Sequence, residues 1–168
     1  ELVFRRSGIT LNDSKKQLVA SRLSRRLRAL GLTDYREYYE LVMNRDPGGS
    51  ESREMLNVIT TNKTDFYREK HHFEFMRTTF FAECVERARR TGQNQLRIWS
   101  AGCSTGEEPY TIAMTLLSHF PGAPGQWSFE IVATDLDTTV IERAVAGIYP
   151  EEAVAPVPQD QLRRFFRR

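Results

Sequence analysis

Residues 95–114 read QLRIWSAGCSTGEEPYTIAM. A short strand-like run, QLRIWSA, breaks at Gly102 and Gly106 and gives way to a helix-forming stretch, EEPYTIAMTLLSHF. The segment SFEIVATD (128–135) then reads as a second strand, and TTVIERAVAG (138–147) as a second helix with Asp137 placed to cap it. Strand, helix, strand, helix at this spacing predicts a parallel sheet joined by a right-handed crossover. In an open parallel sheet, ligands bind beyond the carboxyl ends of the strands. AGCSTGEEP and ATDLD both fall there. The tail YPEEAVAPVPQDQLRRFF, interrupted by prolines, reads as loop and a short helix.

Upstream of Gly92 the pattern is helical throughout. DSKKQLVASRLSRRLRAL (13–30) follows a candidate cap at Asp13 and stops at Gly31. Thr33 could cap DYREYYELVMNR, whose tyrosines read as helix-packing residues, and DPGGS closes it as a turn. Ser50 could cap ESREMLNVITT. A polar connector, TNKTDFYRE, then leads to a longer helix over about 71–90, in which Phe73, Met76, Phe80, Cys84 and Ala88 recur at three- and four-residue spacing. The expected class is α/β: a small helical domain with connector over 1–68, then a Rossmann-like parallel sheet over 69–168. Two strands leave sheet faces and edges bare, so further strands or a partner chain are expected. The start at Glu1 and the end in FFRR likewise read as those of a fragment or trimmed chain.

With 40% hydrophobic and 27% charged residues, the chain has a globular composition and not a disordered one. No apolar run approaches the roughly 20 residues needed to span a bilayer, and no signal-peptide pattern opens the chain. Cys84 and Cys103 are too few for a disulfide framework or zinc site, which points to a reducing cytoplasm and two small buried hydrophobes. His71 and His72 lie about 100° apart on a helix and cannot share one metal. No metal is expected. Trp99 and Trp127 are assigned to the core.

The charge of the glycine turn narrows its ligand. Gly102 and Gly106 permit tight turning, and Ser104 and Thr105 are small enough not to block a close approach. Asp135, at the end of the second strand, stands where an acid grips ribose hydroxyls. A pyrophosphate wants amides and cations, and Glu107 would repel it. The glycine spacing also fits a dinucleotide loop poorly, and a Walker loop would need Gly-Lys-Ser/Thr. S-adenosylmethionine carries a sulfonium, an ammonium and one carboxylate but no phosphate, and suits this loop better. Glu108 is read instead as a first-turn acid on the helix dipole. An NAD-dependent oxidoreductase half-domain remains an alternative of a different class.

RIWSAGCSTGEEPYTIAM, IVATDLD, A-x-x-GIYP and the upstream ITTNKTDFYREKHHF together closely resemble the chemotaxis receptor methyltransferases of the CheR type. STGEEPY and TNxTxFxRE are far more specific than the glycines. The resemblance covers the whole chain. It implies methyl transfer from S-adenosylmethionine to glutamate side chains of chemoreceptors, giving glutamyl methyl esters and S-adenosylhomocysteine. It places cofactor contacts on Asn62, Thr64, Arg68, Ala101, Glu107, Asp135 and Leu136. Glu107 would meet the methionine end, Asp135 the ribose and Leu136 the adenine. Arg68 would lie near the donor methyl and orient the substrate carboxylate. On the residues alone, Asn62, Thr64 and Arg68 could equally be an ordinary polar connector. The family continues past the residues present here, so little activity and weakened cofactor binding are expected of this stretch alone. A non-catalytic receptor- or nucleotide-binding adaptor is the runner-up.

Residues 14–32 contain Lys15, Lys16, Arg22, Arg25, Arg26 and Arg28 and no acid. Val19, Leu23, Leu27 and Leu30 are assigned to one arc of the helix, and Arg22, Arg25, Arg26 and Arg28 to the opposite side. Such a face could be merely solvated, or could meet nucleic acid, an anionic membrane or an acidic protein. Aromatic interleaving for base stacking is missing. The resemblance implies recognition of the methylation helices in the receptors' cytoplasmic domains, so the acidic partner is expected, without nucleic acid or membrane insertion.

Overall fold

The computed structural model describes residues 2–120 and 126–167. They form two compact units, one up to Thr61 together with Leu136–Thr139, the other from Asn62 to Asp135 and from Val140 onward.

The first unit is helical: α1 (Leu2–Ser7), a 3-10 turn (Asp13–Lys15) running into α2 (Lys16–Ala29), α3 (Tyr35–Asn44) and α4 (Ser50–Ile59). Leu27, Tyr38, Val42, Met55, Leu56 and Ile59 form its core, with Leu2 and Val3 of α1 packed against it. The helix starts differ by a residue or so from those expected. Asp34, and not Thr33, caps α3, its carboxylate accepting from Arg36 N at 2.9 Å. The cap of α4 comes from outside the expected position: Gly49 occupies the N-cap with a positive φ, and Asp46 accepts from Glu51 N and Ser52 N at 3.2 and 2.8 Å. Asn12, not Asp13, precedes the 3-10 turn. Of the three tyrosines of α3, only Tyr38 is buried; Tyr35 and Tyr39 are about half exposed.

The expected all-outward basic face of α2 is corrected. At about 100° per residue, Arg26 falls only about 20° from Val19 and Arg22 about 60°, so both border the apolar arc. Arg26 makes a two-pronged ion pair with Glu51, Nε–Oε1 2.9 Å and Nη2–Oε2 2.6 Å, and Tyr38 donates to Glu51 Oε1 at 2.8 Å. Arg22 Nη1 donates to the carbonyls of Ile59 and Thr60, and Nη2 to Thr61 Oγ1. These bonds satisfy carbonyls that the end of α4 leaves without helical partners. Arg25 and Arg28 are exposed, and so is Leu30 despite its place in the arc.

The second unit holds α5 (Lys70–Phe75), a π-helical segment (Met76–Phe80), α6 (Phe81–Thr91), β1 (Gln95–Ala101), α7 (Glu107–His119), β2 (Ser128–Thr134), α8 (Thr138–Ala146) from Val140 onward, and α9 (Gln159–Phe165). β1 and β2 pair in parallel, Gln95 opposite Ser128 through Ala101 opposite Thr134, so the α/β class is met. The expected single helix over 71–90 carries one π turn. The extra residue rotates the downstream face, so that Phe81 joins Phe73 and Cys84 in the core while Phe80 is only partly buried. Leu96, Ile112, Leu116 and Phe120 complete that core, and Trp127 packs on it. Cys84 and Cys103 are buried free thiols. Trp99 is not core. It is 69% exposed, on the face of β1 opposite Leu96, Ile98 and Ser100, with Nε1 bonded to Thr134 Oγ1 at 3.0 Å. Asp137 caps α8 as expected, through Thr139 N at 2.9 Å.

Breaking a buried ion pair by removing one partner costs about 3–5 kcal/mol when burial is complete. The Arg26 and Glu51 side chains are 24% and 11% exposed, so Arg26→Leu should lower stability by about 2–3 kcal/mol in denaturant melts. Asp46 is held at a pKa of about 2, chiefly by the backbone N–H of Ser52 with that of Glu51. Its folded-state pKa lies below its unfolded one, so its contribution is present above about pH 4 and is lost as pH falls toward 2. Asp46→Asn should flatten that part of an acid-unfolding curve.

Candidate functional site

The turn between β1 and α7 is anchored on the end of β2. Gly102 N and Cys103 N both donate to Thr134 O, at 2.8 and 2.9 Å. Ser104 then adopts a left-handed conformation, φ 49°, uncommon for a residue with a side chain. That turn aims its N–H at Asp135 Oδ2, 2.7 Å away, while its hydroxyl donates to Asn62 O at 2.9 Å. Ser104 thus gathers two of the expected site residues, 31 and 42 positions away in the chain. Gly106 follows with φ +100°; a Cβ there would lie 2.6 Å from the Tyr149 hydroxyl and 3.0 Å from Ala144 Cβ. Only glycine fits.

Glu107, the first residue of α7, is 8% exposed, and Oε2 accepts from the Thr105 hydroxyl at 2.6 Å. Glu108 is exposed and accepts from Ser100 Oγ at 2.7 Å. It sits in the first turn of α7, where an acid favours the dipole. The Tyr149 hydroxyl donates to Thr105 O at 2.7 Å. Burial, then the neighbouring Glu107, pushes the Tyr149 phenol well above its ordinary range, so it remains a donor. Burial, then the Asp135 charge, raises the Cys103 thiol.

Thr64 and Arg68 lie on a cleft of about 180 Å³, lined also by Lys63, His72, Gly102 and Glu108. Arg68 is exposed, and one Nη1–H goes to Lys63 O at 2.7 Å. It is flanked by two further left-handed residues, Tyr67 (φ 56°) and Glu69 (φ 55°). Tyr67 N donates to Thr111 Oγ1 at 3.3 Å, and its hydroxyl donates to Gln161 Oε1. Phe66, wholly buried, anchors the same connector in a small core with Met114 and Val157. Ala101 is exposed at the last pair of the sheet. Leu136 follows Asp135 in sequence and is 45% exposed.

Asn62, Asp135 and Glu107 are therefore brought to the glycine turn, and Thr64 and Arg68 to the adjoining cleft. Ser104, Thr105, Thr111 and Tyr149 were not singled out as site residues by sequence, although Tyr149 lies in the GIYP motif. Hydroxyls hold Glu107 and Glu108, a backbone amide bonds Asp135, and Arg68 supplies a cation at the cleft. This donor set fits a ligand with cationic groups, a ribose and one carboxylate, such as S-adenosylmethionine. Among the described residues no cluster of His, Cys, Asp or Glu could hold a metal ion, and no helix is long and apolar enough to cross a membrane.

Residues 62–168 match the family model described as CheR methyltransferase, SAM binding domain. Residues 1–60 match CheR methyltransferase, all-alpha domain. The chain is 44% identical over its full length to a chemotaxis protein methyltransferase of Escherichia coli, covering 54% of that protein. It is 44% identical over 165 residues to a probable chemotaxis protein methyltransferase of Rhizobium etli, covering 98% of the chain and 60% of the relative. Against chemotaxis protein methyltransferase 2 of Pseudomonas aeruginosa it is 45% identical over 172 residues, covering all of the chain and 56% of the relative. The chain thus spans a little over half the length of these curated relatives.

Gly106→Ala combines a disfavoured φ with a steric overlap and should lower stability by about 1–3 kcal/mol in thermal melts.

Proposed function

The chain belongs to the CheR methyltransferase family, and from that premise we propose that it serves S-adenosylmethionine-dependent methylation of glutamate side chains in the cytoplasmic domains of chemoreceptors. The observation that carries this reading is the convergence of Asn62, Asp135 and Glu107 on the glycine turn through Ser104 and Thr105. When bound, S-adenosylmethionine supplies a methyl group activated by its sulfonium. Glu107 would meet the methionine ammonium, Asp135 the ribose hydroxyls, and Asn62, Thr64 and Ala101 would complete the pocket. In this division of labour the helical part with its connector, 1–68, recognises the receptor, and 69–168 holds most of the cofactor.

A glutamate substrate needs no base. Its unperturbed pKa of about 4.3 leaves it ionised at neutral pH, already the nucleophile. Arg68 cannot take a proton from a carboxylate but can grip one geometrically. Its guanidinium has five N–H donors, so the bond to Lys63 O leaves others to orient the substrate. The chain's contribution is then alignment of the carboxylate with the methyl group at the cleft. Arg25 and Arg28, exposed on α2, would meet the acidic receptor surface, while Arg22 and Arg26 hold the helix that presents them.

Calorimetric titration with S-adenosylmethionine, and transfer of labelled methyl to receptor cytoplasmic fragments, test the reading. Absence of both binding and transfer by the protein would sink it. Glu107→Gln and Asp135→Asn should each weaken cofactor binding about 10-fold or more, the scale of a hydrogen bond to a charged group. Arg68→Lys keeps the charge and loses the fork, and should cut methyl transfer by about 10-fold or more. Arg25→Glu with Arg28→Glu should abolish receptor methylation and leave cofactor titrations unchanged.

A further inference from the structure

We propose that Tyr149 is a positioning residue for the cofactor turn, acting through the Thr105 carbonyl and the space above Gly106 without itself touching the cofactor; the inference rests on the S-adenosylmethionine reading of that turn. Three observations converge on this side chain. Its hydroxyl donates to Thr105 O at 2.7 Å, within the residue pair whose other member, Glu107, is bonded to the Thr105 hydroxyl. One residue, Thr105, is therefore held at its backbone by Tyr149 and holds the Glu107 carboxylate with its side chain. The same hydroxyl occupies the space that any side chain at Gly106 would enter, so the turn closes against Tyr149 as against a stop. The ring packs edge-on to Phe66 at 4.9 Å, and Phe66 packs likewise on Phe166 at 5.6 Å.

Phe66 belongs to the connector that carries Asn62, Thr64 and Arg68. Tyr149 is thus in contact with both halves of the proposed pocket: the turn that presents Glu107 and the connector that presents Arg68. A Phe66 rotation or a Thr105 shift alone would break one of these contacts, so the ring and hydroxyl together set the spacing between the two. The phenol is suited to this. It is rigid, it delivers a donor at the far end of an apolar body, and burial, then its position beside Glu107, disfavours ionisation.

Tyr149→Phe tests the hydroxyl while keeping the ring on Phe66. Titration with S-adenosylhomocysteine should show affinity weakened about five- to ten-fold, the worth of one neutral hydrogen bond and the loosened turn. Amide hydrogen exchange should quicken by a similar factor at Ser104–Glu107 and stay unchanged in the middle of α7 and in α6. Unchanged affinity together with unchanged exchange at the turn would overturn the proposal. So would a uniform rise in exchange with a large fall in Tm, which would make Tyr149 a packing residue only. A second substitution separates these cases further: Tyr149→Phe relieves the 2.6 Å overlap that Gly106→Ala creates, although Ala144 still crowds that position, so the two substitutions together should cost less affinity than the sum of the two alone, and strict additivity counts against the stop. If the unsubstituted protein binds no S-adenosylhomocysteine, the cofactor reading fails by itself. The exchange at Ser104–Glu107 then decides the positioning role alone, faster exchange confined to the turn supporting it and no change overturning it.

Discussion

The turn from β1 into α7 must reverse the chain within five residues while leaving no buried backbone group without a partner. That constraint governs the site. Buried N–H groups left unpaired cost as much as a lost hydrogen bond, and here Thr134 O takes two of them and the Asp135 carboxylate a third. The acid at the end of β2 therefore has a structural task before any ligand arrives. It holds Ser104 in a left-handed conformation that a serine would otherwise seldom adopt. The parallel register, with Ala101 opposite Thr134, brings that acid to the turn. Strand pairing and site geometry are the same arrangement viewed at two scales.

The choice of partners for the acids matters for ligand chemistry. Thr105 and Ser100 hold Glu107 and Glu108 through hydroxyls. A hydroxyl or amide orients a carboxylate without cancelling its charge, whereas a lysine or arginine would neutralise it. Glu107 is buried, and its carboxylate is bonded in this way by the Thr105 hydroxyl. A site that keeps its negative field over a glycine turn favours a cationic ligand and disfavours a pyrophosphate. This is the physical content behind the mismatch between the glycines and the acids that follow them.

Much of this was legible in the sequence, for reasons that differ by element. β1 was bounded correctly because Gly92 and Gly102 punctuate it and its residues alternate. The start of α8 was legible because Asp137 is the one acid placed to cap it. The cap of α3 was placed at Thr33 because Thr33 and Asp34 have similar capping chemistry and the choice is made by backbone path; that of α4 was misplaced because the carboxylate that meets its first amides, Asp46, lies before the DPGGS turn and outside the helix pattern. The π turn at Met76–Phe80 was hidden because a 3.6-residue period, once assumed, fits Phe80 as well as Phe81. Trp99 was assigned to the core on hydrophobicity, yet in a strand its neighbours Ile98 and Ser100 face the other way. Of the site, the acids at strand ends were readable because their chemistry is local to the motif. Ser104 and Tyr149 were not, since their bonds span 31 to 44 residues and leave no periodic trace.

The arginines of α2 illustrate how composition overstates a recognition surface. Six cations and no acids over 14–32 read as one continuous basic face, but helical geometry divides them. Arg22 and Arg26 lie beside the apolar arc and use their several donors to tie down α4, one at its end and one at Glu51. Lysine could not replace them, because an ammonium offers no planar fork for two carboxylate oxygens or for neighbouring carbonyls. Arg25 and Arg28, pointing away, are not tied to an acid within the same helix, which contains none. The part of α2 available to an acidic partner is therefore narrower than the charge run, and it is held in position by the other half of that same run.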